Sequence, residues 1–218
     1  MNERSQLDAS YYQALHDANP AFQGNNWLVQ DLALLQQWGG TSILELGCGN
    51  GLFLERAAAI WPRVVGLDWA ASPVFQEVRS RCPGIDFVQA DAMQWSPAEP
   101  FDIVASADFL EHLPPEQLPT LLARFHGFGW KHFHRIACYD DGHSHLSILP
   151  PETWMELFEN VAPGRYRMLS NEARKGQADK RVITVASSRE CMSGMHQNAP
   201  GRMQCGAARK TGDDECAE

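Results

Sequence analysis

The sequence predicts an α/β fold in which a mostly parallel sheet is covered by helices on both faces. Short apolar runs alternate with segments of helical periodicity along most of the chain, a pattern typical of such sheets. The chain has 218 residues, of which 44% are hydrophobic, so it can bury the core of one sizeable domain.

Apolar runs bounded by turn residues predict the strands of this sheet. They lie at 42–46, 63–68, 85–91, 101–108, 132–140, 166–170 and 181–186. The last two flank a polar segment, and we expect them to form a hairpin. In parallel sheets, ligands bind beyond the carboxyl ends of the strands, where the strand order reverses.

Apolar residues at helical spacing predict helices in the intervening segments. The first follows Asn25 and Asn26, either of which can cap it, and ends at Gly39-Gly40. The others are 52–60, a helix that begins at Ser72-Pro73, and two with apolar stripes over 118–125 and 154–161. Residues 188–218 have no periodicity, and we expect them to be disordered.

Composition argues against several classes of protein. The formal net charge is -9, which disfavours broad contact with nucleic acid or another polyanion. No apolar run reaches the length of a membrane span, and the N-terminus lacks the apolar core of a signal peptide. The six cysteines form no CxxC pair, so we expect free thiols and a cytoplasmic location.

Three glycines alternate with other residues in LELGCGNG, residues 44–51, directly after the first predicted strand. Glycine has no Cβ, so such a turn lets the backbone approach a ligand closely. A dinucleotide fingerprint would place its third glycine where Leu52 stands, and a phosphate loop would need a lysine that Asn50-Gly51-Leu52 lacks. A nicotinamide oxidoreductase is therefore the least favoured alternative.

Four motifs resemble those of the class I S-adenosylmethionine-dependent methyltransferases: ILELGCGNGLFLERAA, VVGLDWA, FVQADAMQW and FDIVASADFLEHL, in that order. The resemblance covers residues 41–187. It implies a Rossmann-like doubly wound sheet of seven strands, mostly parallel with the last strand antiparallel, and S-adenosylmethionine as cofactor. Residues 1–40 would form an N-terminal helical lid segment.

The resemblance implies a cofactor site at the ends of the first three strands. Asp68 is suited to accepting from both ribose hydroxyls, and Asp91 to accepting from the adenine amino group. Glu45 would hold the turn or face the amino group through water, while Trp69 would pack on the adenine or belong to the core. The expected set is Glu45, Gly47, Cys48, Gly49, Asp68, Trp69, Asp91 and Ala92.

Titratable side chains gather on the loops predicted after the fourth and fifth strands. They are Asp108, Glu111, His112, Asp140, Asp141, His143 and His145. Methyl transfer to an alcohol or phenol requires removal of a proton, so a base is needed there. His112, His145 and Asp108 are the catalytic candidates, although a histidine in the Leu-Glu-His triplet can instead support the loop.

A metal site is an alternative use of the same residues. Asp108, Glu111, His112 and His145 offer two carboxylates and two imidazoles, a plausible set for a divalent cation. The pattern resembles the Glu-x-x-Glu-His site of the small-RNA 3′-terminal 2′-O-methyltransferases, but Asp108 replaces its first Glu. Since the acidic chain has no evident RNA surface, we expect no metal and consider nucleic acid an unlikely partner.

The acceptor is the least determined part of the prediction. The segment before the first strand carries Tyr11, Tyr12, Phe22 and Trp27, which could grip a ring or a sugar or anchor the segment to the core. We expect a small-molecule or glycan acceptor, methylated at oxygen. A non-catalytic module that only binds the cofactor is the other class left open.

Overall fold

The computed structural model describes residues 7–187, which form a seven-stranded sheet with helices on both sides. The strands are β1 Ser42–Leu46, β2 Arg63–Asp68, β3 Ile85–Gln89, β4 Phe101–Ala107, β5 Gly129–Ala137, β6 Tyr166–Ala173 and β7 Arg181–Ser187. The helices are α1 Ala9–Ala18, α2 Pro20–Gly24, α3 Leu32–Gln37, α4 Leu52–Ala57, α5 Pro73–Arg81, α6 Leu118–His126 and α7 Pro151–Val161.

The strand order is β3-β2-β1-β4-β5-β7-β6. Strands β1 to β5 are parallel to one another, whereas β7 runs antiparallel to both β5 and β6. The predicted fold class is confirmed, including the antiparallel last strand and the hairpin. The order reverses between β1 and β4, which makes the carboxyl ends of these strands the expected ligand site.

The central strands are buried on both faces, which explains why they read as continuous apolar runs. In β4, Ile103 and Ala105 pack into the core under α3, α4 and α5, while Val104 packs into the core under α6 and α7. Successive side chains of a strand point to opposite faces, so one short segment contributes to both cores.

Some predicted boundaries are wrong. The helix predicted over 52–60 ends at Ala57, because the chain tightens into turns in which Ala59 and Ile60 bond the carbonyls of Arg56 and Ala57. Ser72 precedes α5 as expected, yet its hydroxyl is buried and makes no capping bond.

Strand β5 begins at Gly129, three residues before the predicted start. His132 and His134 do not interrupt it, because both are buried in the core. Burial lowers the pKa of His132 to about 4 and that of His134 well below its usual value, so both imidazoles are neutral near pH 7. Neutral histidines can occupy inward positions that the sequence pattern reserves for apolar residues.

Three further expectations from the sequence concern the C-terminal segment, membrane spans and the cysteines. The predicted disordered segment, 188–218, lies outside the described residues. No helix within 7–187 is long and apolar enough to cross a membrane. Within the same range, Cys48, Cys82 and Cys138 are free thiols.

Candidate active site

A cavity of about 760 Å³ opens at the carboxyl ends of the strands, beside the reversal point between β1 and β4. One part, which we call the glycine side, is formed by the loops after β1, β2 and β3. The other part, the histidine side, is formed by the loops after β4 and β5 and by the loop of the β6–β7 hairpin. Residues of α1, α2 and the segment that follows line the cavity as well.

The glycine turn after β1 is folded by the chain's own packing. Gly47, Gly49 and Gly51 have φ values of 68°, 50° and 71°, a region that glycine adopts readily. A Cβ on Gly47 would lie 2.7 Å from the ring of Phe109, and one on Gly51 would lie 2.2 Å from the ring of Phe75. Gly47 and Gly51 are therefore required by the packing of the protein itself, in addition to any approach of a ligand to the turn.

The carboxylate of Asp68, at the end of β2, is held by two backbone amides. Oδ2 accepts from the N–H of Gly49 at 2.8 Å, and Oδ1 accepts from the N–H of Ala70 at 2.9 Å. Burial raises the pKa of Asp68, a shift that these hydrogen bonds oppose. Each oxygen keeps a lone pair for a further donor, as a pair of ribose hydroxyls would require.

Glu45 lies at the end of β1 and is fully buried. Its Oε1 accepts from the amide of Asn26 at 3.2 Å, and its Oε2 has no partner within the described structure. Burial raises the pKa of this carboxyl well above its usual value. Glu45 thus connects the N-terminal segment to the cavity wall and leaves one oxygen for a donor.

The loop after β3 completes the glycine side. Asp91 accepts from the N–H of Met93 at 2.8 Å, which closes the turn around Ala92. Trp69, after β2, also lines the cavity, and its ring centroid lies 6.2 Å from that of Tyr12. All eight residues expected from the sequence at the glycine side line the cavity.

Asp108, the first residue after β4, has a φ of 49°, which is unusual for a residue with a side chain. Both of its carboxylate oxygens accept from the guanidinium of Arg174, at 2.7 and 2.5 Å. Arg174 also lies over the ring of Trp27 at 4.6 Å. The carboxylate is thereby committed to an ion pair, which makes Asp108 a poor candidate for an independent base.

Glu111 and His112 lie on a short 3-10 turn, Leu110–His112, after β4. Glu111 is fully buried: Oε1 accepts from the N–H of Ala137 at 2.9 Å, and Oε2 has no partner among the described residues. Burial and the nearby charge of Asp108 raise the pKa of Glu111 well above its usual value.

The two histidines are fixed by backbone carbonyls. His112 Nδ1 donates to the carbonyl of Ser144 at 3.0 Å, and His145 Nδ1 donates to that of Tyr139 at 2.5 Å. A carbonyl can only accept, so Nδ1 carries the proton and Nε2 of each neutral ring is an acceptor. Burial and the neighbouring His145 lower the pKa of His112 to about 4, which keeps its imidazole neutral near pH 7.

The loop after β5 is shaped by Asp141. Its Oδ1 accepts from the N–H groups of His143, Ser144 and His145, and its Oδ2 accepts from the Ser144 hydroxyl. Burial would raise the pKa of Asp141, but these hydrogen bonds outweigh it and hold the pKa below its usual range. Asp141 orders the loop that carries His145, while Asp140, exposed on the same loop, does not line the cavity.

The metal set considered from the sequence is brought together only in part. Ligand atoms of Glu111, His112 and His145 lie within 4.8 Å of one another. Asp108 is turned towards Arg174 instead.

Sequence reasoning named Tyr12 without a position and missed Arg174. Tyr12 of α1 lies between the two sides, with its ring centroid 6.2 Å from that of Trp69 and 5.8 Å from that of His112. Arg174 pairs with Asp108 across 66 positions of sequence. In the sequence, Arg174 was visible only as a cation in a polar segment, without any local motif.

Sequence comparison relates this chain to methyltransferases. A family described as "Methyltransferase domain" matches residues 43–128. A trans-aconitate 2-methyltransferase of Azoarcus sp. (strain BH72) is 30% identical over 117 residues, 52% of this chain and 46% of the relative. A ubiquinone biosynthesis O-methyltransferase of Pseudomonas entomophila (strain L48) is 30% identical over 110 residues, 48% and 45% respectively. The chain spans about half the length of these curated relatives.

Solved structures share the fold at low sequence identity. The 1,6-didemethyltoxoflavin-N1-methyltransferase of Burkholderia thailandensis, with bound 1,6-didemethyltoxoflavin and S-adenosylhomocysteine, has a TM-score of 0.64 at 14% identity, covering 82% of this chain and 85% of that one. The N-methyltransferase NodS of Bradyrhizobium japonicum WM9, in complex with S-adenosylhomocysteine, has a TM-score of 0.60 at 18% identity, with coverages of 81% and 97%.

Proposed function

Because this chain belongs to the class I S-adenosylmethionine-dependent methyltransferase family, as its motifs predicted, we propose that it transfers a methyl group from S-adenosylmethionine to an oxygen of a small-molecule acceptor. The proposal rests on the observation that the two sides of the cavity differ in chemistry. Acidic groups suited to the cofactor line the glycine side, and an unprotonated ring nitrogen of His112 is available on the histidine side.

The residues of the glycine side fit the cofactor. Asp68 can accept from the two ribose hydroxyls with the lone pairs that Gly49 and Ala70 leave free. Glu45 has a buried oxygen without a partner, which suits the amino group. Gly47, Cys48, Trp69, Asp91 and Ala92 would complete the binding surface. The volume of the cavity lies in the range of small-ligand and cofactor sites.

The cofactor, when bound, supplies a methyl group on a sulfonium that is already activated for in-line displacement. The protein's own task is therefore to position the acceptor and to receive its proton. His112 Nε2 is suited to receive that proton, because the carbonyl of Ser144 fixes the ring and its tautomer. Its neutrality is consistent with this role.

The two other catalytic candidates are assigned supporting roles. His145 lies edge-on to His112, with ring centroids 5.0 Å apart, and would hold that ring in place. Asp108 would anchor the hairpin loop through Arg174. Both act through a neighbouring residue and are positioning residues in this proposal.

The N-terminal segment, residues 1–40, is proposed as a lid on the methyltransferase domain of residues 41–187. Gln13 of α1 exchanges two hydrogen bonds with the backbone of Ala71, at 3.0 and 2.9 Å. Asn50 donates to the carbonyls of Phe22 and Asn25. These bonds hold the segment over the cavity. The cytoplasmic location remains a prediction from the sequence.

A direct test begins with calorimetry of the full chain with S-adenosylhomocysteine and, separately, with NAD. We expect binding of the first and none of the second, whereas NAD binding alone would favour an oxidoreductase. Methyl transfer should then be measured on a panel of small hydroxylated metabolites and glycans. Cofactor binding without methyl transfer to any acceptor would favour a non-catalytic module.

A second candidate function is metal-assisted methylation of an RNA 2′-hydroxyl. It is favoured by a cluster of ligand atoms within 4.8 Å of one another, from Glu111, His112 and His145. In both histidines a backbone carbonyl binds Nδ1, which leaves Nε2 unprotonated and able to bind a metal. The commitment of Asp108 to Arg174 and the net charge of -9 count against it.

A chelator separates the two candidates. In the metal-free mechanism, EDTA leaves the rate of methyl transfer unchanged. An activity that EDTA abolishes and that manganese or magnesium restores would make the metal-assisted function the better one.

A further inference from the structure

We propose that the acceptor is an acid, and that Lys175 and Lys180 in the loop of the β6–β7 hairpin bind its oxyanion group, a carboxylate or a phosphate. The inference rests on the proposed function, because it names the class of acceptor that the histidine side of the same cavity would take. Both lysines line the cavity.

The hairpin loop is fixed over the cavity by its neighbour in sequence. The guanidinium of Arg174 forms two hydrogen bonds with Asp108 and lies over the ring of Trp27 at 4.6 Å. The ring centroid of Tyr139 lies 5.7 Å from the same guanidinium. The two hydrogen bonds and the ring contacts restrict the side chain of Arg174. The hairpin loop that follows Arg174 is therefore held at the cavity mouth.

The two lysines are directed along the aromatic walls of the cavity. Lys175 Nζ lies 5.7 Å from the ring centroid of Trp27, and Lys180 Nζ lies 5.6 Å from that of Tyr139. Within residues 7–187, neither ammonium forms an ion pair with a carboxylate. Their donors remain available to a ligand.

The backbone at Lys175 adds a second observation. Its φ is 48°, in the left-handed region, which a residue with a side chain seldom adopts. Glycine or asparagine would occupy this position at less cost. What lysine adds here is its side chain at the cavity mouth.

Two of the three acids that line the histidine side are already engaged by other groups. Asp108 is neutralised by Arg174, and Asp141 is engaged by His143 and by backbone amides. Glu116, which is exposed on the loop after β4, is the third acid that lines this side. The acids Glu45, Asp68 and Asp91 line the glycine side instead.

This separation of charge matches the two ligands of the proposed reaction. Acidic residues would face the cationic cofactor, while the two free ammonium groups would hold an anion at the far end of the acceptor. An acceptor so held would place its other end towards His112, on the same side of the cavity.

The test uses the full chain saturated with S-adenosylhomocysteine, titrated by calorimetry at low salt with citrate and with inorganic phosphate. The double variant Lys175→Glu/Lys180→Glu is compared with Arg167→Glu, which reverses a charge on an exposed residue of the same hairpin outside the cavity. We expect the double variant to weaken anion binding about tenfold or more and the control to stay within about twofold. Preference for citrate would identify a carboxylate acceptor, and preference for phosphate a phosphorylated one.

Several results would overturn the inference without touching the proposed function. The first is a wild type that binds the cofactor but neither anion. The second is a loss of anion affinity in Arg167→Glu as large as that in the double variant. The third is a double variant that binds the anions as the wild type does. On the acceptor panel, amides methylated as well as their parent acids would do the same. Failure of S-adenosylhomocysteine to bind the wild type would instead refute the proposed function itself.

Discussion

The two sides of the cavity are built in different ways. On the glycine side, the functional groups lie within a few residues of a strand end and are held by backbone amides of the same or the adjacent strand end, such as those of Ala70 and Gly49 that bond Asp68. On the histidine side, the main contacts join distant segments, such as Arg174 with Asp108 and Tyr12 with His112. A ligand common to a family can be bound by a local motif, whereas a specific acceptor is bound by whatever the long-range packing brings together.

The largest expected effect is on the histidine side. Replacing His112 by Ala should lower kcat about 10²–10⁴-fold, the range for loss of a general base, with affinity for S-adenosylhomocysteine unchanged. The measurement is single-turnover methyl transfer beside calorimetry of the same preparation. His126→Ala is the matched control, because His126 lies on α6 outside the cavity. A variant that keeps the wild-type rate would remove His112 from the mechanism.

The next largest effect is on the glycine side, where a substitution should lower the affinity for the cofactor. Asp68→Ala should weaken S-adenosylhomocysteine about 10–150-fold, which corresponds to about 1.5–3 kcal/mol for hydrogen bonds to a charged group. Asp86→Ala, on the exposed side of β3, should change nothing. Thermal melts must accompany the titration, because Asp68 also holds the turn through Gly49. Wild-type affinity in a folded Asp68 variant would contradict the assignment.

The same contrast explains what could be predicted from the sequence. The fold, the glycine turn and Asp68 follow from local signals: apolar runs, glycine spacing and an acidic residue at a strand end. Arg174 gave no such signal, because its partner lies 66 positions away and its own segment looks like an ordinary polar loop. The early start of β5 was missed because its first three residues, Gly129, Trp130 and Lys131, do not form an apolar run.

A buried histidine of the core, His132, should make the free energy of unfolding depend on pH. His132 is 1% exposed with a pKa of about 4, whereas its usual value is near 6.5, so the unfolded chain takes up the proton first as the pH falls. Stability from this residue is complete above about pH 7 and is lost as the pH falls through 6.5 towards 4.

The free energy of unfolding should therefore decrease by about 2 kcal/mol between pH 7.5 and 5 on account of His132. Urea titrations at several pH values measure it. His132→Phe should flatten the pH dependence, although His126, His134 and Tyr166 pack against the same ring or near it. An equal slope in wild type and variant would assign the acid sensitivity to other groups.

The smallest expected effect tests whether the two sides are energetically separate. Arg174→Met removes the ion pair that joins the hairpin loop to Asp108, at a cost of about 1 kcal/mol for a partly exposed pair. The melting temperature should fall by about 2–4 °C, a shift that Arg167→Met, on the same hairpin, should not produce. Arg174→Lys should recover only part of the loss, since an ammonium cannot form the two parallel bonds of a guanidinium. Affinity for S-adenosylhomocysteine should be unaffected throughout, because the bonds that shape the glycine side do not involve the hairpin. If Arg174→Met weakens the cofactor as much as Asp68→Ala does, the two sides are coupled and the separation drawn between them is wrong.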